Sequence, residues 1–185
     1  MKGYSFSNFD PFANPPSTTK AVEKVQKYLE SWEENREAGL GLYLCGDVGS
    51  GKTHLAVAVM NELITRKRIP SLFVTVPELL DNFRGSYKDP GQDLDEWMDA
   101  VKNADLLVLD DLGSERVTEW VRERIFVIVN HRYREALPTL FTSNIGPEEL
   151  PAKLGERTAS RIISMCEGVQ LTGKDYRETA RNRGS

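Results

Sequence analysis

Gly46-Asp47-Val48-Gly49-Ser50-Gly51-Lys52-Thr53 places three glycines, a lysine and a hydroxyl in the spacing G-x-x-x-x-G-K-[ST]. Residues of these types at this spacing suit the enclosure of phosphate groups. Phosphate oxygens need many donors at close range, and only backbone N–H groups crowd that tightly. Glycines at 46, 49 and 51 let the chain wrap without side-chain clashes. A helix beginning near Lys52 adds the partial positive charge of its N-terminus. In this cradle Lys52 bridges the β- and γ-phosphates of a triphosphate, and the Thr53 hydroxyl ligates Mg²⁺. His54 follows directly and is counted with the nucleotide-binding run, although helix packing is the simpler role for its ring.

A metal held by one hydroxyl needs a carboxylate nearby. Asp110 and Asp111 follow the apolar run Leu106-Leu107-Val108-Leu109, which reads as a strand buried on both faces. They therefore emerge at its C-terminal tip, where open α/β sheets bind ligands. Asp110 is assigned to Mg²⁺, directly or through water, and Asp111 to the attacking water. Two adjacent carboxylates after an apolar strand are costly unless a cation or ordered water meets them. Lys52 and Asp110 lie too far apart for adjacent strands of one βαβ unit of about 30 residues. One strand, Ser71 to Val76, falls between the two motifs along the chain. That arrangement suits ATPases with a catalytic carboxylate beside the metal-binding one. No Asn-Lys-x-Asp guanine-reading motif occurs, which favours ATP. Asn144 ends Leu140-Phe141-Thr142-Ser143-Asn144, where it either orients water near the γ-phosphate or serves turn chemistry.

Arg157 and Arg161 are spaced i, i+4 and share a face of any helix that contains them. From spacing alone they are either two solvated arginines, one paired with Glu156, or a finger reaching the γ-phosphate of a neighbouring subunit.

The elements that must position these groups alternate. A helix starts near Ser17 or Thr18 with Val22, Val25, Leu29 and Trp32 on one face, and Gly39 ends it. Leu40 to Cys45 reads as a strand and Thr53 to Arg68 as a helix. Ser71 to Val76 is a second strand, with Pro77 opening a short helix over Glu78 to Phe83. Further helices are expected over Asp93 to Lys102 and Thr118 to Glu135. Thr139 to Ser143 is a strand, Pro147 to Cys166 holds one or two helices, and Val169 to Thr172 is a last strand. Strands separated by helices imply a mostly parallel sheet with helices on both faces. Residues 1–17, rich in aromatics, Asn and Pro, are expected to lie extended over a single domain spanning 18–185.

With 185 residues, 39% of them hydrophobic and 28% charged, the chain can fill one sizeable core. No apolar run approaches the roughly 18 residues that span a bilayer, and the N-terminus shows no signal-peptide stretch. Cys45 and Cys166 fit no metal-ligand spacing, so a reducing cytoplasm is the expected compartment. A net charge of −4 argues against coating nucleic acid by overall electrostatics but leaves room for a local basic groove.

Taken in order, Gly-Leu-Tyr-Leu-Cys-Gly-Asp-Val-Gly-Ser-Gly-Lys-Thr-His-Leu, Leu-Leu-Val-Leu-Asp-Asp-Leu-Gly-Ser-Glu, Thr-Ser-Asn, Glu-Arg-x-x-Ser-Arg and Gly-Lys-Asp-Tyr-Arg resemble bacterial helicase loaders of the DnaC and DnaI type. Those are AAA+ ATPases related to DnaA and to the transposition helper IstB. The resemblance runs from Phe6 to Arg177. It implies a three-layer α/β P-loop NTPase with strand order 5-1-4-3-2, and ADP or ATP with Mg²⁺. Residues 46–53 match Walker A, and Asp110 and Asp111 match Walker B. Asn144 matches sensor 1, Arg161 the arginine finger with Arg157 beside it, and Arg177 sensor 2. It further implies a replicative hexameric helicase and single-stranded DNA as partners, and self-association through the arginine-finger face.

Three departures accompany the match. Asp111 stands where many AAA+ proteins carry Glu, which is one methylene longer, so slow hydrolysis is expected. Loaders carry an N-terminal helicase-binding region, and nothing before Phe6 resembles one, so this chain is expected to be the ATPase portion of a longer protein. No helical lid domain is expected after Arg177, in keeping with loaders.

Phe83-Arg84-Gly85-Ser86-Tyr87-Lys88 combines two aromatics with two cations, the composition that binds single strands by stacking and backbone neutralisation. A surface loop with one buried aromatic has the same composition. Two other classes remain at this stage: an IstB-like transposition helper, and a small-molecule kinase, for which no arginine-rich lid is evident.

Overall fold

The computed structural model describes residues 4–6, 16–86, 94–114 and 117–173. Its strands are β1 (Gly41–Gly46), β2 (Ser71–Thr75), β3 (Leu106–Leu112), β4 (Thr139–Ser143) and β5 (Cys166–Leu171). All four pairings between them are parallel, in the order β2-β3-β4-β1-β5. Read from the other edge, this is the 5-1-4-3-2 order that the resemblance implied. Parallel strands need covered crossovers, and the helices supply them: α1 (Pro16–Glu30), α2 (Trp32–Glu37), α3 (Lys52–Lys67), α4 (Val76–Ser86), α5 (Leu94–Asn103), α6 (Glu119–Arg134), α7 (Leu150–Leu154) and α8 (Glu156–Met165).

Successive strand residues point to opposite faces, so each apolar strand feeds two cores. Leu42, Leu44, Leu106, Val108 and Leu140 meet α1, α2 and α3 through Val25, Trp32, Leu55 and Leu63. Tyr43, Cys45, Leu107, Leu109 and Phe141 meet α4, α5, α6 and α8 on the other side. Cys45 is a free, buried thiol in that second core, and its strand reading holds.

Several boundaries differ from those read in the sequence. The first helix is interrupted at Ser31, and across the break the Asn35 side-chain amide donates to the Tyr28 carbonyl at 2.9 Å. Gly39 does end the segment. It takes φ +65°, and the Leu40 N–H closes back on the Asn35 carbonyl at 2.8 Å. Helix α1 begins at Pro16, inside the stretch expected to be extended, and α4 runs to Ser86, three residues past the expected end.

At the site end of β1 the backbones nearly touch. A Cβ on Gly46 would lie 1.8 Å from the Leu171 carbonyl oxygen, and the residue sits at φ +135°. Both conditions exclude a side chain there. Gly46→Ala is therefore expected to push β5 off β1 and lower stability by about 2 kcal/mol or more in urea unfolding. A loss below about 0.5 kcal/mol would show that the sheet edge yields freely.

Among the described residues no helix is long and apolar enough to cross a membrane.

Candidate functional site

Between β1 and α3 the chain makes the turn that the glycines permit. Gly49 and Gly51 take φ +74° and +97°, and Gly51 is the left-handed N-cap of α3. Val48 stands 60% exposed at the crest, whereas Ser50 is buried. Asp47 ties the turn to the chain after β5. Its N–H donates to the Leu171 carbonyl at 3.2 Å, and its Oδ2 accepts from the Gly173 N–H at 3.1 Å.

Lys52 enters at the first position of α3 and is buried. Its Nζ donates to the carbonyls of Gly46 at 2.9 Å and Asp47 at 2.6 Å. Burial lowers its pKa, and the fields of Asp111, Asp47, Cys45 and Asp110 oppose that. The cradle lysine and both strand-tip carboxylates thus form one electrostatic unit.

Thr53 Oγ1 donates to Asp110 Oδ1 at 2.8 Å, which joins α3 to the end of β3. On a regular strand Asp110 and Asp111 would face opposite sides of the sheet. They do not, because the strand bulges. Leu109 pairs with Phe141 and Leu112 with Ser143, so β3 carries one more residue than β4 over this stretch. Asp111 takes the extra conformation, at φ +64°. A non-glycine residue held there is strained and needs support from its surroundings.

That support is Thr142, which the sequence reading passed over. Its buried hydroxyl donates to Asp110 Oδ1 at 2.6 Å and accepts from the Asp111 N–H at 2.9 Å. One side chain therefore aims the first carboxylate and pins the bulge that carries the second. The available signal was a threonine inside the apolar run Leu140–Phe141, one strand away from the acidic pair. Thr142→Val preserves shape but removes both bonds, leaving the part-buried Asp111 N–H without its partner. It is expected to lower any phosphate release about tenfold while nucleotide affinity changes less than about threefold, as measured by steady-state release and fluorescent-nucleotide titration.

The donor set fits a Mg²⁺–nucleotide. Ser50 Oγ is buried without a hydrogen-bond partner. Thr53 and Asp110 offer hard oxygen atoms beside each other, the ligand chemistry Mg²⁺ takes alongside phosphate oxygens.

Asn144 follows the last residue of β4, exposed at the tip next to the strand that feeds the cradle. His54 points elsewhere: Nε2 lies 3.0 Å from the Ser5 carbonyl, and Tyr4 packs its ring edge-on at 5.0 Å. Its ring fastens residues 4–6 onto α3. Arg157 and Arg161 both lie on α8, as the spacing required. Arg157 is exposed on the rim of a groove of about 320 Å³ between α6 and the α7–α8 turn. Arg161 is half-buried. No hydrogen bond or ion pair between described residues joins either arginine to the cradle of its own chain. Arg177 lies outside the described residues.

The assignment of Phe83 to nucleic acid is corrected. Its ring is buried, stacked edge-on against Trp97 at 6.4 Å and Trp120 at 6.1 Å, so no face is free for a base. The cause is helical phase. Because α4 continues through residue 83, Phe83 falls on the buried stripe with Leu79 and Leu80. Arg84 also belongs to α4 rather than to a loop, and Tyr87 and Lys88 lie outside the described residues.

The comparisons with known proteins fit this geometry. The profile of the family described as IstB-like ATP binding protein matches residues 15–184. The replicative helicase loader DnaI of Bacillus subtilis (strain 168) is 35% identical over 190 residues, covering 96% of this chain and 59% of that protein. The replicative helicase loader DnaC of Escherichia coli (strain K12) is 30% identical over 166 residues, covering 84% and 66%. A crystal structure of the DnaC helicase loader superposes with a TM-score of 0.82 at 31% identity, over 91% of this chain and 96% of that one. The chain thus spans 59% and 66% of the two curated relatives' lengths.

Proposed function

This chain belongs to the IstB-like ATP-binding proteins, and from that premise we propose that it is the ATPase of a replicative helicase loader. It binds ATP or ADP with Mg²⁺, hydrolyses ATP, contacts single-stranded DNA and helps to place a hexameric helicase on it. The observation that carries the ATPase reading is the Thr53–Asp110–Thr142 chain of hydrogen bonds beneath the glycine turn. It fixes one carboxylate beside the cradle and a second on a supported bulge. Support for the loader reading is the match to loaders along nearly the whole chain.

Mg²⁺, held by Thr53 and Asp110, would neutralise phosphate charge. Lys52 contributes a cation at the β- and γ-phosphates, and the backbone N–H groups of residues 49–53 supply the remaining donors. Asp111 orients the attacking water and accepts its proton as the bond to γ-phosphorus forms and the bond from γ-phosphorus to the bridging oxygen breaks, which releases ADP and phosphate. Asn144, at the neighbouring tip, steadies the same water or the γ-phosphate. Arg161, with Arg157 beside it, stabilises transition-state charge in the site of an adjacent copy, and Arg177 takes the sensor 2 role that the resemblance to loaders implies.

The test is release of free phosphate from ATP, with and without single-stranded DNA. Release stimulated by DNA and lost in Lys52→Ala and Asp111→Asn supports the reading. Nucleotide binding with no turnover under any of these conditions overturns the hydrolytic part. The IstB-like family description keeps one second reading open, a transposition helper. Capture of a purified replicative helicase rather than a transposase decides between them.

A further inference from the structure

Arg161 does not hang free. Its Cζ lies 5.0 Å from the ring centroid of Phe126 and 5.8 Å from that of Tyr133. Its Nη1 donates to the Arg157 carbonyl at 3.0 Å, and its Nε is buried without a hydrogen-bond partner. Phe126 and Tyr133 are two helical turns apart on α6, so their rings lie on one face, opposite α8.

An arginine on a helix surface ordinarily samples many rotamers, and holding one costs side-chain entropy. Here two rings and a carbonyl select one. Nε is buried, whereas the Nη1 bond to the Arg157 carbonyl is exposed, so the Nη end of this half-buried side chain is the accessible one. Tyr133 is itself 45% exposed, which makes it a poor contributor to the core and well suited as a ring face for a cation.

We propose that Phe126 and Tyr133 are positioning residues: a two-ring platform that preorganises the Arg161 guanidinium for the active site of an adjacent copy. This rests on the trans role given to Arg161 above. The rings touch no nucleotide and act only through that arginine. Their loss therefore lowers turnover in the neighbouring site and leaves nucleotide binding there unchanged.

Subunit mixing tests it. Arg161→Ala protomers keep an intact cradle and lack the finger, whereas Lys52→Ala protomers keep the finger and lack a working cradle. Mixed on single-stranded DNA, they are expected to regain part of the parental phosphate release. Tyr133→Leu or Phe126→Leu is then added to the Lys52→Ala donor. Each is expected to lower the regained kcat about threefold, and both together about tenfold, with KM for ATP unmoved. Tyr133→Phe, which keeps the ring, is expected to donate as well as the parent. Since Tyr133 is half exposed, the Tyr133→Leu donor should fold normally, and an unchanged thermal midpoint will establish that.

Full recovery with leucine at both positions overturns the platform alone, as does recovery above the parent, which would make it a parking site. No recovery in the reference mixture, before any ring is changed, overturns the trans role and the platform together.

Discussion

Lys52→Ala is expected to lower phosphate release about 10²- to 10³-fold, the loss typical of removing one preorganised charge donor from a phosphoryl-transfer site. The reason lies in how the residue is held. Its ammonium sits at the first turn of α3, donates to the Gly46 and Asp47 carbonyls, and is drawn by Asp111, Asp47 and Asp110. No neighbouring cation in the turn can substitute, because residues 46–51 carry none. Arginine would not rescue it, since a planar fork does not fit a pocket built around a point charge. Rates are read by coupled phosphate assay, alongside nucleotide affinity. A drop below about tenfold would mean that backbone donors and α3 alone stabilise the transferring group.

The same residue has a pH signature. Burial lowers its folded pKa below the ordinary value of 10.5, so over the interval between the two the folded chain binds fewer protons than the unfolded chain. Stability from this group therefore rises with pH across that interval. In urea unfolding at alkaline pH, Lys52→Ala is expected to show a flatter or falling profile relative to the parent. Identical slopes would show that the ammonium is as well solvated in the folded chain as in the unfolded one.

The cradle and the acidic pair were legible in the sequence because each is a contiguous string beside an apolar run. Gly46 to Thr53 must turn wherever it is put, and Asp110 must leave β3 at its tip. What brings them together was not legible, since it depends on strands distant in sequence. Thr142 serves both aspartates only because β4 lies next to β3, and pairing order leaves no mark in periodicity. The order itself came from the resemblance to loaders rather than from spacing. The bulge is hidden for a similar reason: an extra residue on one strand is defined by its partner, and Leu109 to Leu112 gives no sign of it.

Phe83 shows a different failure. Val76, Leu79, Leu80 and Phe83 already had helical spacing, and the stripe placed the ring inward. Ending the helix at residue 83 and attaching Phe83 to the following Arg-Gly-Ser turned a core residue into a surface aromatic. Arg161 shows the limit of a local motif. Its spacing to Arg157 gave the shared face of α8, but its ring partners come from α6 and nothing near residue 161 announces them.

Arg132→Met is expected to destabilise the chain by about 3–5 kcal/mol, because it leaves several buried or part-buried acceptors without their donor. Arg132 is fully buried among the described residues, and its guanidinium donates five hydrogen bonds. Nε reaches Thr139 Oγ1 at 2.8 Å, and Nη2 reaches the Pro138 carbonyl at 2.8 Å. Nη1 meets the carbonyls of Val101, Lys102 and Ala104 at 3.3, 2.9 and 2.9 Å. Those three close the C-terminus of α5, where carbonyls lack helical partners and the helix end is negative. Burial lowers the guanidinium's pKa, and the field of Asp105 opposes that. A planar five-donor fork suits these acceptors, so Arg132→Lys should recover less than half of the loss. The side chain fastens the start of β4 to the end of α5, and the far end of β4 holds Thr142 and Asn144. Loosening the strand should therefore lower ATP turnover at temperatures well below global unfolding. Urea unfolding followed by circular dichroism gives the stability change, and phosphate release at increasing temperature gives the functional one. A loss under about 1 kcal/mol would mean that water reaches the abandoned carbonyls, and that β4 is anchored by its neighbours in the sheet instead.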